Sequence, residues 1–336
     1  MPLPIPSKRT FLKNAFAATG AATAFVLSFG MFGPAWAAYP DRPITLIVPQ
    51  AVGSGGDTVG RLLAKKLGDT LGVQVVVENK PGAATFIAAQ YVTKAKPDGY
   101  TILMNTTAVS LFSLRKETSS LDLRKDLKFV GSFAHTPLAI MANPNAPFNN
   151  LPELVTYAKA NPGKLSYGVN GAGSIHHLTM EYISSVTSIK MVAIPYQGGG
   201  SALTGAVLAG EPVMSMDSLG VHIPLIRDGK LKLIATTGRS RSRPFPNVMT
   251  VAETLGDFEA GAHMVVMVPT GTPQDVVDKI FTGVRAMATD ADTRTRLSDI
   301  SFDPTPSLTS AEFDKIITVE MDRWNRVAKE SGLKFD

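Results

Sequence analysis

The chain has 336 residues, with 33 Lys and Arg against 28 Asp and Glu, 44% hydrophobic residues and no cysteine. This length corresponds to about two domains, and the hydrophobic share predicts a folded protein rather than a disordered one. The absence of cysteine excludes disulfide scaffolds, thiol nucleophiles, and metal or iron–sulfur sites held by cysteine.

The first segment of the chain is typical of an export signal. A basic region at 8–13 precedes a stretch, 15–36, without any charged residue, and the tripeptide Ala-Trp-Ala at 35–37 fits a cleavage site. A transmembrane anchor is the alternative, but the stretch is only weakly apolar and no basic stop-transfer cluster follows it. Residues 1–37 are therefore predicted to be a signal peptide. The basic region resembles a twin-arginine signal with Lys8 in place of the first arginine, so the export route stays open.

The net charge does not point to a nucleic-acid partner. The predicted signal removes three basic residues and no acidic one, which leaves 30 basic against 28 acidic side chains. The densest basic run, Arg239, Arg241 and Arg243, is followed at once by prolines and is predicted to be a solvated loop. No basic stripe with interleaved aromatic residues accompanies it.

From residue 44 onward, predicted strands and helices alternate. The first set is a strand at 44–49, a helix with apolar residues at 59, 62, 63 and 67, a strand at 74–78, a helix at about 85–95 and a strand at 100–105. The second set has strands at 138–142, 165–169, 191–194, 213–216 and 231–236, with helices at 152–160, from 174, at 201–209 and at 221–227. A strand at 264–268, a helix capped by Thr272 and a last helix with the capping box Thr309-x-x-Glu312 complete the chain. This alternation predicts parallel strands joined by right-handed crossovers.

Three loops that follow predicted strands are rich in glycine and almost uncharged, at 53–57, 171–174 and 198–201. Glycine lets a ligand approach backbone N–H groups closely, and a helix N-terminus adds a partial positive charge. Each loop could therefore hold an anion without any lysine or arginine. For each loop the alternative is that glycine only makes the turn, while Asp57 or Ser174 caps the helix.

The sequence contains little evidence for an enzyme active site or a metal site. A dinucleotide-binding fingerprint fails because its third glycine would fall at Thr58, and neither a P-loop nor a G-x-S-x-G motif is present. His176 and His177 are adjacent and cannot share a helix face, and the other three histidines stand alone in the sequence. Asp57 and Asp217 could form a carboxylate pair, but no nucleophile accompanies them. No metal, cofactor or catalytic residue is therefore predicted.

Six short motifs lie along the mature chain. They are YPDRPI at 39–44, VVENKPGA at 76–83, KPDGYT at 96–101, PGKLSY at 162–167, IPYQG at 194–198 and PTGTP at 269–273. In this order they resemble the Bug, or TctC-like, extracytoplasmic solute receptors of tripartite tricarboxylate transport systems. The likeness covers essentially the whole mature chain.

The resemblance implies a type II periplasmic-binding fold, an α/β architecture of two doubly wound lobes hinged around a cleft. The first lobe would comprise 38–139 and 260–336, and the second 140–259. The resemblance further implies a monomeric periplasmic receptor, without catalysis, that closes on a small carboxylate and delivers it to the large and small membrane subunits of a transporter. A ligand-sensing adaptor with a sensor partner, or an exported α/β enzyme, are the alternatives.

The resemblance also assigns ligand-binding residues to the loops after the strands. Gln50 and Val52 belong to the set because Gln50-Ala51-Val52 stands where the family usually has aromatic-Pro-Pro, which changes either the ligand preference or only the structure. Ser218 replaces the family's asparagine, and 110–122 lacks two family motifs. Asp217 is expected either to accept a ligand N–H or O–H group or to cap its helix. The set is Gln50, Val52, Ser54, Gly55, Gly56, Asp57, Thr106, Thr107, Gly173, Ser174, His177, Tyr196, Gly198 and Asp217.

Overall fold

The computed structural model describes residues 39–82, 85–114, 123–196 and 199–332. The predicted signal peptide, 1–37, and the predicted ligand-binding residue Gly198 lie outside these ranges. The chain forms two compact units, Met1–Asp41 and Arg42–Asp336, and the fold described below is that of the second unit.

Ten strands of the described residues form one mixed sheet. They are β1 (Ile44–Val48), β2 (Val75–Asn79), β3 (Thr101–Thr106), β4 (Leu127–Ala142), β5 (Ser166–Val169), β6 (Val192–Pro195), β7 (Met214–Ser218), β8 (Lys232–Thr236), β9 (Gly261–Pro269) and β10 (Asp303–Pro304). The main order is β2-β1-β3-β9-β4-β7-β5-β6, and β8 and β10 each pair with β4. β1 pairs in parallel with β2 and β3, and β5 with β6 and β7, as predicted. The prediction of parallel strands is wrong for 138–142 and 264–268, because β4 and β9 pair antiparallel with their neighbours.

Strand β4 differs from its prediction. The sequence predicts a strand only at 138–142, whereas β4 has 16 residues. The polar residues Ser132, His135 and Thr136 interrupt the apolar pattern, yet they are buried in the sheet, so no apolar run marks the beginning of the strand. Residues 127–137 pair antiparallel with β9, and residues 138–142 pair antiparallel with β7 and β8. β4 therefore joins a first half-sheet (β2, β1, β3, β9 and 127–137) to a second half-sheet (138–142, β7, β5, β6 and β8).

Eleven α-helices of the described residues pack against this sheet. They are α1 (Gly55–Leu71), α2 (Phe86–Thr93), α3 (Leu123–Asp126), α4 (Leu151–Ala160), α5 (Ile175–Thr187), α6 (Gly199–Ala209), α7 (Ile223–Arg227), α8 (Ala252–Leu255), α9 (Gln274–Thr289), α10 (Ala291–Asp299) and α11 (Ser310–Ser331). Two 3-10 helices, Thr107–Leu114 and Gly220–His222, complete the helical elements of the described residues. Within those residues, no helix has both the length and the hydropathy needed to cross a membrane.

Two of the predicted helix starts differ from the structure, and the starts predicted at Ser174 and Thr309 agree with it. The helix predicted at 221–227 is a 3-10 turn followed by α7, which has a proline in its first turn, where a missing N–H does no harm. Thr272 does not cap α9, because its hydroxyl donates to the carbonyl of Pro269 at 2.7 Å and Pro273 is the N-cap. The capping box predicted at Thr309 and Glu312 is confirmed at the start of α11.

Helix α11 packs against both half-sheets. Phe313 and Ile317 lie in a core cluster with Phe129 and other residues of the first half-sheet, and the rings of Phe129 and Phe313 stack 3.9 Å apart. Trp324, near the other end of α11, lies in the core cluster of the second half-sheet with Tyr167. The predicted lobe boundaries, at 139/140 and 259/260, stay a prediction.

Candidate ligand-binding site

Two helices, one after each half-sheet's first parallel strand, begin with the same arrangement of hydrogen bonds. At α1 the hydroxyl of Ser54 accepts the N–H of Asp57 at 3.2 Å, and the carboxylate of Asp57 accepts the N–H of Gly53 at 2.9 Å. At α5 the corresponding pairs are the Ser174 hydroxyl with the N–H of His177 at 3.3 Å, and His177 Nδ1 with the N–H of Gly173 at 3.2 Å. The N-cap serine and the third helical residue therefore fix each loop.

Asp57 is directed into the protein. Its carboxylate also accepts hydrogen bonds from Arg61 Nε at 3.0 Å and Asn79 Nδ2 at 2.9 Å, and the residue is 2% exposed. Burial disfavours its charged form, but the bonds from Gly53, Arg61 and Asn79 outweigh burial and hold the pKa of Asp57 below its usual value. Asp57 thus stays ionised and shapes the loop at the start of α1.

His177 has the same task at the start of α5. Nδ1 accepts from Gly173, so the proton of the neutral ring is on Nε2, which lies 3.8 Å from Glu181 Oε1. Burial lowers the pKa of His177, although Glu181 acts in the opposite direction. The ring therefore keeps the acceptor on which the Gly171–Ser174 turn depends.

Four backbone N–H groups remain at these two helix starts. The first turn of a helix has no intrahelical acceptors for its N–H groups, and the capping bonds leave those of Gly55, Gly56, Ile175 and His176 without one. A Cβ at Gly56 would lie 2.7 Å from the side chain of Gln50, which would have to move to admit it. Gln50 Oε1 is itself buried without a hydrogen-bond partner. The side chain of Gln50 therefore lies against Gly56 at the start of α1, and the predicted ligand contacts of these residues stay a prediction.

The start of α1 lies against the segment that follows β7. A Cβ on Gly55 would be 3.8 Å from Val221 Cγ1, and Val221 is 55% exposed. Val52, in the loop before α1, is 72% exposed. The structure thus brings the first-half-sheet loop of Val52 and Gly55 next to the second-half-sheet segment of Val221.

Asp217, the fourth residue of β7, is buried between two histidines. Its Oδ1 accepts the N–H of Ser218 at 2.7 Å and lies 3.5 Å from His176 Nε2, and its Oδ2 lies 3.8 Å from His222 Nε2. Asp217 does not cap a helix, because the 3-10 turn that follows has no side-chain cap, so that alternative is wrong. His222 therefore does not stand alone, and nothing in the sequence links either histidine to Asp217. Among the described residues, no group of three or more His, Asp or Glu could hold a metal ion.

Comparison with known proteins identifies the family. The TctC family, described as "Tripartite tricarboxylate transporter family receptor", matches residues 59–333. The chain belongs to the TctC family.

Relatives of this TctC receptor agree with the assignment over most of its length. Protein BugT of Bordetella pertussis is 31% identical over 318 residues, which are 93% of this chain and 96% of BugT. The solved structure titled "R. palustris Rpa4515 with adipate" is 29% identical with a TM-score of 0.78 and covers 88% of this chain and 99% of the other. The structure titled "MatC (Rpa3494) from Rhodopseudomonas palustris with bound malate" is 26% identical with a TM-score of 0.70, over 86% and 99%. The chain therefore has the two-lobed α/β fold of these receptors, and it is a binding protein rather than an enzyme.

Three predicted ligand-binding residues of the TctC receptor, Thr106, Thr107 and Tyr196, have hydroxyl groups. Thr106 ends β3, and the hydroxyl of the buried Thr107 accepts the N–H of His263 at 3.1 Å. Tyr196 packs in a core cluster, and its hydroxyl donates to the carbonyl of Glu211 at 3.2 Å. Thr107 and Tyr196 are thus engaged with the protein itself, and their ligand contacts stay a prediction.

A surface cavity of about 360 Å³ lies elsewhere, between the C-terminal ends of α5 and α11. Its lining includes Glu181, Lys190 and Glu330. Helix C-termini carry a partial negative charge, and two carboxylates add to it. This cavity is therefore a poorer place for an anion than the helix N-termini of the TctC receptor.

Proposed function

We propose that the protein is a periplasmic solute receptor whose lobes close on a small carboxylate between the N-termini of α1 and α5. The observation that carries this proposal is the repeated capping arrangement, which leaves the N–H groups of Gly55, Gly56, Ile175 and His176 without intrahelical acceptors. Those of Gly55 and Gly56 would hold one carboxylate, and those of Ile175 and His176 would contact the ligand from the second lobe.

The charges around the loops support backbone recognition of the anion. Arg61 is paired with Asp57, and the carboxylate of Asp57 faces inward to Gly53 and Asn79. Each helix N-terminus contributes roughly half a positive charge together with oriented N–H donors. The ligands named for two structural neighbours, adipate and malate, are small carboxylates.

The proposal includes export and delivery. The signal-like residues 1–37 and the TctC family support a location of the mature receptor outside the cytoplasmic membrane. The large and small membrane subunits of a tripartite tricarboxylate transporter are its proposed partners. A host that carries these subunits is expected to take up labelled ligand only when the receptor is also exported, whereas a sensing adaptor would leave uptake unchanged.

A thermal-shift panel of mono-, di- and tricarboxylates, aromatic acids and acidic amino acids tests the binding function. A true ligand at 100-fold excess over its Kd stabilises the folded protein by about 2.7 kcal/mol, which raises the unfolding midpoint by several degrees. We expect at least one carboxylate to do this, and neutral sugars and nicotinamide to have no effect. A panel in which only a sugar or nicotinamide raises the midpoint would contradict the proposal.

A further inference from the structure

Buried polar atoms without hydrogen-bond partners lie at the carboxyl ends of β5 and β7. Within the described residues, Asn170 Oδ1, Asp217 Oδ2 and both ring nitrogens of His176 are in this state. β5 and β7 are adjacent and parallel, with Tyr167 opposite Met214 and Gly168 opposite Ser215, so Asn170 and Asp217 come level in the same register. Buried polar groups are almost always paired, because an unpaired one costs free energy.

His222 cannot supply the missing hydrogen bond while its ring is neutral. Its Nδ1 lies 3.0 Å from the carbonyl of Ser218, which only accepts, so Nδ1 carries the proton. Its Nε2 is 2.8 Å from Thr204 Oγ1 and accepts from that hydroxyl. The nitrogen that faces Asp217 Oδ2 at 3.8 Å therefore presents a lone pair rather than a proton.

His176 does not supply a hydrogen bond to Asp217 Oδ2 either. Its Nε2 is 3.5 Å from Asp217 Oδ1, which is longer than a normal N–H···O bond, and it does not reach Oδ2. Burial lowers the pKa of His176, with Asp217 acting in the opposite direction, so the ring is neutral at pH 7. The N–H of Ser218 is thus the donor that the described residues give to this carboxylate.

Asp217 also lies at the second-lobe side of the proposed ligand site. His176 is the second residue of α5, whose N-terminus is one of the two proposed anion contacts. Val221, between Asp217 and His222, reaches the N-terminus of α1, the other contact. A ligand held by its carboxylate at α1 would therefore present its far end to Asp217, Asn170 and His176.

We infer that the far end of the ligand carries a hydrogen-bond donor, an ammonium or hydroxyl group, that is bound by Asp217 Oδ2 with Asn170 and His176 beside it. The ligand is then an amino- or hydroxycarboxylic acid rather than a plain carboxylic acid. An ammonium group fits best, since it would offset the buried charge of Asp217 as well as donate to it. This inference rests on the proposed function and adds Asp217, Asn170 and His176 as specificity-determining residues.

Isothermal titration calorimetry of the mature protein with two matched series of acids tests the inference. Succinate, malate and aspartate share one skeleton and differ in hydrogen, hydroxyl or ammonium at a single carbon, as do glutarate, 2-hydroxyglutarate and glutamate. In the series that fits the site, we expect the acid with a donor to bind at least tenfold more tightly than the plain diacid. In Asp217→Asn the ratio of the Kd of the plain diacid to the Kd of the ammonium acid should fall at least tenfold, while the affinity for the plain diacid changes little.

Two further variants separate recognition from folding. Asp228→Asn makes the same substitution at an exposed position of the same half, with a side chain that is 60% exposed, and should leave all affinities unchanged. Asn170→Ala should reduce the same advantage by a smaller factor, which keeps the inference testable if Asp217→Asn does not fold.

Equal binding of plain and donor-bearing acids, unaltered by Asp217→Asn, would overturn the inference and leave the proposed function intact, with water as the partner of Asp217. A failure of every carboxylate to bind would overturn both.

Discussion

Asp57 and His177 show two different side chains fixing equivalent loops. Each is the third residue of its helix, and each accepts the N–H of the glycine before the N-cap serine. The carboxylate does so in its charged form, whereas the imidazole can do so only when Nδ1 is unprotonated. The glycines are needed because Gly53 and Gly173 have φ values of +80° and +65°, where a side chain would be strained.

Replacing Gly55 by proline tests the backbone donors one at a time. Proline is tolerated as the first residue of a helix, and Ser54 already has the extended conformation, φ −74° and ψ 165°, that precedes proline. The change deletes a single N–H group from the proposed carboxylate site. We expect Gly55→Pro to weaken carboxylate binding about tenfold or more, measured by titration calorimetry, with an unfolding midpoint close to that of the parent.

Ser310→Pro is the matched control for this change. Ser310 is the first residue of α11, and its N-cap, Thr309, has nearly the same conformation, φ −75° and ψ 162°. This variant should bind ligand as the parent does. Equal losses in both variants, or none in Gly55→Pro, would show that the N–H of Gly55 does not contact the ligand.

At the scale of elements, the sequence predicted those parts that local chemistry determines. The parallel units around β1 and β5 and the capping box of α11 follow from short apolar runs, glycine turns and cap residues. The length of β4 was underestimated. Ser132, His135 and Thr136 are buried by tertiary pairing with β9, which no local pattern reveals.

In the candidate site, too, the features set by local contacts were predictable and those set by long-range contacts were not. The glycine loops and the Ser174 cap of α5 were predicted, since their bonds join residues within four positions of one another. At α1 the sequence named Asp57 as the cap, whereas the N-cap is Ser54 and Asp57 is the third helical residue. The roles of His176 and His222 beside Asp217 were not, because three separate segments bring them together. Asn79, which holds both Gln50 and Asp57, lies in the VVENKPGA motif but was not assigned a role.

Helix α11 carries an acid that makes stability depend on pH. Burial raises the pKa of Glu320 from its ordinary 4.5 to about 7, with Arg323 opposing and Glu259 adding to the effect. Because the folded-state pKa is the higher one, the protonated form stabilises the fold at low pH. That contribution is lost as the pH rises from about 4.5 through about 7.

Glu320→Gln should therefore raise the unfolding free energy at pH 8, by at most about 3 kcal/mol, and leave it unchanged near pH 4. Denaturant unfolding at a series of pH values measures the difference. Glu330→Gln, on the exposed end of the same helix, should have no such pH-dependent effect. A gain for Glu320→Gln that is equal at all pH values would point to packing instead of ionisation.

At the scale of the whole molecule, β4 and α11 each contribute to both half-sheets. Trp324 is the single tryptophan after the predicted signal, and it is buried in the core of the second half-sheet. We expect one cooperative urea transition of the mature protein, with the fluorescence of Trp324 and the far-UV circular dichroism changing together. Two separated transitions, with fluorescence following only one of them, would show that the halves unfold independently.

The shared strand also limits how such receptors can diversify. An exchange of the predicted second lobe, 140–259, between two family members would cut β4 and leave β7 and β8 paired with foreign residues at Leu138 and Ala139. Recombination of whole lobes is therefore disfavoured. If the proposed site holds the ligand, substitutions at Gln50 and Val52, in the loop after β1, and at His176, at the start of α5, would change ligand preference without touching a residue that the sheet needs for its own pairing.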